Sequence, residues 1–206
     1  MITTYAELQD AVADWINRPE IEARLSTFVQ MAEADMNRRV RHWRMEERST
    51  ITANDRYLQL PLDWVEAVRV STTVAGVTRR LELAPHAAML DSRTEAAGVA
   101  GVPKYYLLSG GEMELFPTPD GDYTVEMIYV GKIPALSDAN TTNWVLENYP
   151  DAYLYGALTK AADFVADPRG SVWQPLFEKA IAEMNGSSAE ARWSGTGLRL
   201  AKRGLA

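Results

Sequence analysis

Apolar residues near the start of the chain recur every three or four positions. Thr4-Tyr5-Ala6-Glu7 has the order of a capping box, in which a threonine hydroxyl and a glutamate each satisfy a free backbone amide. Tyr5, Leu8, Val12, Trp15 and Ile16 follow at helical spacing, which predicts a first helix ending near Asn17, ahead of Pro19. A second stripe, Ile21, Leu25, Phe28, Ala32, Met36, Val40 and Trp43, predicts one helix of about six turns starting at Pro19. Arg38, Arg39, Arg41 and Arg44 gather at its end, where the helix dipole favours cations.

From Arg48 to Val130 the period falls to two. Arg56 to Pro61, Val65 to Val70 and Val77 to Leu83 read as short strands. Tyr105 to Leu108 and Glu112 to Phe116 read as a hairpin turning at Ser109-Gly110-Gly111. Pro117 to Gly121 makes the next turn, and Tyr123, Val125, Met127 and Tyr129 alternate with Thr124, Glu126 and Ile128 as an amphipathic strand. Asp91 to Val102, rich in Gly and Ala, is expected to be a mobile loop. Helical spacing returns after Pro150 through Tyr153, Leu154, Ala157, Leu158, Ala161, Phe164 and Val165, with Gly156 and two alanines permitting close approach of a partner helix. Ser171-Val172-Trp173-Gln174 fits a second capping box, and Gly186 is expected to stop the helix that follows.

The order of elements predicts an α+β fold, mainly α. Helices of residues 1–47 and 138–186 form a four-helix bundle, residues 48–137 form an inserted small antiparallel β-sandwich, and residues 187–206 form an extended C-terminal arm. The net charge of −7 is uneven. The last twenty residues hold Arg192, Arg199, Lys202 and Arg203 against Glu190, a net +3, which leaves −10 on residues 1–186. An acidic body argues against a general polyanion-binding surface. Disorder alone explains Trp193, Leu198, Leu200 and Leu205 poorly, whereas an arm that orders on a partner, anchored by apolar side chains with cations at the rim, accounts for them. Fully extended, that arm spans roughly 65 Å.

The chain has no cysteine, so disulfides, thiolate metal sites and cysteine nucleophiles are excluded. His42 and His86 lie far apart and in no metal-ligand spacing. Gly195-Thr196-Gly197 lacks the third glycine of a dinucleotide loop, and no nucleophile elbow is present. Asp163 and Asp167 share a helix face but read as solvated surface or as a cap. The sequence therefore predicts no catalytic, cofactor-binding or metal-binding residue. No run is long and apolar enough to span a membrane and no signal peptide opens the chain, so a soluble protein of a reducing cytoplasm is expected.

Several segments occur together in a distinctive order. They are Tyr57-Leu58-Gln59-Leu60-Pro61-Leu62-Asp63-Trp64, Pro103-Lys104-Tyr105-Tyr106, Leu115-Phe116-Pro117-Thr118-Pro119-Asp120, Ile128-Tyr129-Val130 and Ile133-Pro134-Ala135-Leu136-Ser137-Asp138. Asn143-Trp144-Val145-Leu146 then leads into Tyr149-Pro150-Asp151-Ala152-Tyr153. In this order the chain resembles the head-to-tail connector adaptors of tailed bacteriophages and gene transfer agents. The resemblance implies a non-enzymatic virion protein at the head–tail junction, a homo-oligomer of typically twelve copies on the portal ring, with a tail or nozzle protein on its opposite face. It implies that DNA passes through the ring without specific binding, and that no cofactor or membrane is involved. It also implies a portal-binding arm carrying Arg192, Trp193, Leu198, Arg199, Leu200, Lys202 and Arg203, while Arg38, Arg39, Arg41 and Arg44 are candidates for contacts between subunits. A stopper or tail terminator, a packaging factor binding DNA through the basic arm, and a hydrolase working through carboxylates are the competing readings.

Overall fold

A computed structural model describes residues 1–96 and 98–193. The chain divides into two units: residues 1–44 with 133–206, and residues 45–132. The first is helical and is built from both ends of the sequence. The second holds the strands.

In the helical unit α1 (Tyr5–Ile16) starts at the expected capping box, with Thr4 accepting from the Glu7 amide and Glu7 accepting from the Thr4 amide, and ends at Asn17 in the left-handed conformation. The long stripe after Pro19 is not one helix. Pro19–Arg24 is a 3-10 turn, α2 covers Leu25–Arg39, and the chain turns extended at Val40. Arg41 and His42 lie outside regular structure and Trp43–Met45 is a further short 3-10 turn, so the apolar period continues past the point where the helix stops. After the β unit the chain forms α4 (Trp144–Asn148), α5 (Pro150–Val165) and α6 (Gly170–Trp193).

Helix α5 packs against α1, α2 and α6 and supplies the most buried face, with Ala152, Tyr153, Ala157, Leu158 and Ala161 all shielded from solvent. Gly156 explains the close packing: a Cβ there would lie 2.9 Å from the Ala32 Cβ on one side and 3.0 Å from the Phe177 ring on the other. Side chains of α2 hold the returning chain: Asn37 Oδ1 accepts from the Ile133 amide at 2.8 Å and Glu33 Oε1 from the Leu136 amide at 2.7 Å. Asn143 caps α4 through the Val145 and Leu146 amides and donates to the Tyr153 hydroxyl at 2.6 Å, which itself donates to Glu33.

The β unit contains β1 (Glu46–Ala53), β2 (Tyr57–Gln59), β3 (Trp64–Val74), β4 (Val77–Arg80), β5 (Glu82–Leu83), β6 (Tyr105–Ser109), β7 (Glu112–Phe116) and β8 (Tyr123–Gly131). They form two four-stranded sheets, in the orders β1-β8-β3-β4 and β2-β7-β6-β5. One buried cluster draws on both sheets through Ala53, Val70, Val125, Met127 and Tyr129 from the first and Leu58, Tyr106, Met113 and Leu115 from the second. The β6–β7 hairpin turns at Gly110-Gly111, both with positive φ, as the alternation around those glycines predicts.

Four expectations are corrected. The β unit is not wholly antiparallel, because β5 pairs with β6 in parallel over Glu82↔Tyr105 and Leu83↔Tyr106. Asp91 to Glu95 is not loop but the second half of α3 (His86–Glu95), which buries Met89 against Leu107, Phe116 and Ala84. Ser171 does not cap α6; its hydroxyl donates to the Pro168 carbonyl at 2.7 Å, inside the first turn. Gly186 does not end α6, which continues to Trp193, so residues 187–193 are helical and not the start of an extended arm. A glycine in a helix costs only about 1 kcal/mol, and Ser187 and Ser188 make the tertiary bonds described next.

Candidate functional site

The end of α6, from which the predicted arm departs, is held by a cluster drawn from three parts of the sequence. The Trp43 amide donates to Ser188 Oγ at 2.9 Å, and the Tyr149 hydroxyl and Ser187 Oγ share a 2.6 Å hydrogen bond. One turn earlier, Asn185 accepts from the Arg41 amide at 2.8 Å and donates to the Arg39 carbonyl at 3.2 Å, closing the carbonyl end of α2. His42 is buried among aromatic rings, stacked on Trp144 at 4.8 Å and edge-on to Tyr149 at 6.2 Å. Its Nδ1 accepts from the Arg44 amide at 3.2 Å. Burial, aided by the positive charges of Arg44 and Arg192, lowers the His42 pKa, so the imidazole is neutral near pH 7 and serves as packing and acceptor.

The four arginines predicted for subunit contacts lie around this root. Arg38 pairs with Asp35, which also receives Lys160 Nζ at 2.5 Å. Arg39 makes a two-point bond to Glu178 and lies over the Phe177 ring at 5.7 Å, tying α2 to α6. Arg41 donates to the carbonyls of Val40 at 2.7 Å and Asn37 at 3.2 Å. Arg44 lies over the half-exposed Trp43 ring at 5.3 Å. Arg38, Arg39 and Arg41 thus have partners within the fold, consistent with their place at a helix end.

Arg192 and Trp193 form the last turn of α6, with Arg192 near enough to His42 to affect it electrostatically. Leu198, Arg199, Leu200, Lys202 and Arg203 lie outside the described residues. The two aspartates of α5 and the turn after it do not form an acid–base pair. Asp167 binds Arg169 side chain and amide, which holds its carboxyl down at about 2, while Arg169 also donates to the Trp15 and Ile16 carbonyls at the end of α1. In the β unit Glu114 takes both Arg56 and Arg93, at 2.7 and 2.8 Å, and Arg93 donates to the Leu115 carbonyl at 2.6 Å, clamping α3 to β7. Among the described residues no three histidine, aspartate or glutamate side chains gather as metal ligands, and no helix is long and apolar enough to cross a membrane.

The SU10 adaptor protein family matches residues 3–200, from the first turn before α1 to beyond the end of α6. The chain belongs to that family. It is therefore a member of a phage head–tail adaptor family, a structural component of the virion that associates with portal and tail components. No curated protein matches it. For an adaptor, the cluster of His42, Trp43, Trp144, Tyr149, Ser187 and Ser188 is the part that sequence reading missed. Its members come from three segments, the first about a hundred residues from the second and the second about forty from the third, and none has a spacing signal; only the aromatic density of Asn143 to Tyr153 hinted at it.

Proposed function

We propose that this protein is the ring component that joins a phage head to its tail. Several copies sit beneath the portal, residues beyond Trp193 dock on the portal, and the opposite face receives the next tail component. The observation that carries the reading is the family match along nearly the whole chain. Two features support it. The last turns of α6 are tied into the helical unit, Asn185 and Ser188 to the segment that follows α2 and Ser187 to Tyr149. The body at −10 would repel phosphate, which suits a channel through which DNA slides, and the +3 tail supplies cations for an acidic neighbour. Burial of Trp193, Leu198 and Leu200 against the portal would offset the entropy cost of docking. Multiple copies then make a firm joint from modest individual contacts. We propose no enzymatic role.

Electron microscopy of the protein mixed with its cognate portal tests this, using the full chain and a form ending at Trp193. That end point leaves the anchored part of α6 intact. Full-length protein is expected to add a ring below the portal and the shortened form is expected to bind at least tenfold more weakly. A portal that gains no density from either form rejects the reading. Strong, salt-dependent binding to duplex DNA by the full chain alone would favour the packaging-factor reading instead.

A further inference from the structure

The first sheet of the β unit ends in two edge strands that match each other. An exposed edge normally carries a device that prevents pairing, such as a proline, a bulge or very short length. Strand β1, Glu46–Ala53, has no proline, bulge or short length: it is eight residues long, pairs with β8 without a register shift, and carries Thr50, Ile51 and Thr52, which suit extended structure, while its charges, Glu46, Glu47 and Arg48, disfavour any partner strand that does not complement them. Strand β4, Val77–Arg80, forms the other edge and is exposed throughout; it is only four residues long and ends in Arg79 and Arg80, so it admits a short partner strand of negative charge rather than any strand.

The phase of the outward backbone groups follows from the ladder. Ala75-Gly76, both with positive φ, is a two-residue turn that makes Val74 and Val77 a bonded pair, and the Leu81 amide donates to the Val70 carbonyl at 2.9 Å. Val70, Thr72 and Val74 therefore direct their backbone groups toward β4, whose Thr78 and Arg80 direct theirs outward. Ser71 and Thr73 bond Glu126 and Thr124, so Val125, Met127 and Tyr129 of β8 face β1. Arg48, Thr50 and Thr52 of β1 then face outward.

Because the four strands of this sheet alternate in direction, β1 and β4 run opposite ways. A second copy carried round by a modest rotation would bring its β1 antiparallel to the first copy's β4. One register satisfies charge as well. Pairing Glu47 with Arg79 places Arg48 opposite Thr78, where both strands present outward backbone groups, and Glu46 opposite Arg80. The side chains also agree in face, since Arg79, Thr72, Val125 and Ile51 lie in one row and Glu47 shares the face of Ile51. A shift of one residue sets Arg48 against Arg79 and loses this phase.

We propose that β1 of one copy pairs with β4 of the next, so that the sheets of neighbouring copies run together around the assembly. This is a head-to-tail contact, which closes into a ring when the rotation between copies closes. It rests on the reading of several copies on a portal.

The chain lacks cysteine, so cysteine pairs can be introduced cleanly. In the proposed register Ser49 faces Val77 as a non-bonded pair, with Cα atoms about 4.5 Å apart, within disulfide reach. Oxidising the portal-assembled S49C/V77C protein should give a ladder of covalently linked copies on a non-reducing gel. Each single variant should give none, and S49C/R79C at least tenfold less. Independently, Glu47→Arg should reduce the adaptor retained on the portal several-fold, and adding Arg79→Glu should restore it. Assembly on the portal without a ladder and without charge-swap rescue overturns the strand pairing while leaving the adaptor reading in place. Failure of the unmodified chain to assemble on the portal removes both.

Discussion

At the residue scale, the polar group with most at stake is Glu33, a carboxylate buried between α2 and the returning chain. Burial raises its pKa, and the bonds from the Leu136 amide and the Tyr153 hydroxyl only partly oppose this. The folded state therefore keeps the proton to a higher pH than the unfolded chain does. Stability from this group is complete below the ordinary carboxylate range and declines as pH rises through the folded value. Urea unfolding between about pH 4 and pH 8 should reveal this slope, and Glu33→Gln should remove it while keeping both accepting bonds, within about 1 kcal/mol of the parent at neutral pH. Glu33→Ala leaves a buried amide and a buried hydroxyl without their acceptor, and should cost about 1–3 kcal/mol. Equal slopes in the parent and the glutamine variant would show that the carboxyl is already ionised without penalty.

At the element scale, the sharpest constraint is the sandwiching of α5 between α2 and α6 at Gly156. A methyl group there meets Ala32 and Phe177 at or below 3.0 Å, and neither is the end of a long flexible side chain. Gly156→Ala should gain helix propensity and still destabilise the protein by about 1–3 kcal/mol, measured as a fall in the urea midpoint at unchanged slope. A more stable variant would mean that the helices separate freely at this point. The sequence already pointed to Gly156, Ala157 and Ala161 as a close-approach face, and α1, the β6–β7 hairpin and β8 were equally readable because each has a strong period and a clear cap or turn. The elements that were hard to read have physical reasons. β1 carries Glu47 and Ser49 on the same face as Ile51 and Ala53, opposite the polar Glu46, Arg48, Thr50 and Thr52, so its period of two is faint. α3 buries only Met89 among its ten residues, and its Ala and Ser content looks like loop. α6 passes Gly186 because contacts distant in sequence hold the next turn. The cluster at its root was illegible for the same reason, since His42, Tyr149 and Ser188 meet only after folding.

At the scale of the whole molecule, residues 45–132 form an insertion between the two halves of a helical unit. Entry and exit are neighbours: β1 begins at Glu46, β8 ends at Gly131, and Glu46 is paired with Val130 across the ladder. Paired residues in such a ladder lie only about 5 Å apart, so the inserted unit has adjacent ends, the arrangement in which insertions are tolerated. Each unit also has buried residues of its own, with Ala53, Met113, Leu115 and Val125 fully shielded in one, and Leu8, Val12, Ala157 and Leu158 in the other. Residues 45–132 expressed alone should therefore fold, giving dispersed amide NMR resonances and a cooperative urea transition. Replacing residues 46–131 by a short Gly-Ser linker should leave a helical protein, judged by circular dichroism, because the cost of closing a loop grows only as the logarithm of its length and a short linker costs less than a long unfolded one. The linker form should also keep the root of the C-terminal segment, since Trp43, Tyr149, Ser187 and Ser188 all belong to the helical unit. It should then still recognise the portal through residues beyond Trp193, but fail to form the cross-linked ladder that needs β1 and β4. Loss of portal recognition in a linker form that is well folded would place the contact on the β unit and move the functional surface away from the C-terminal segment.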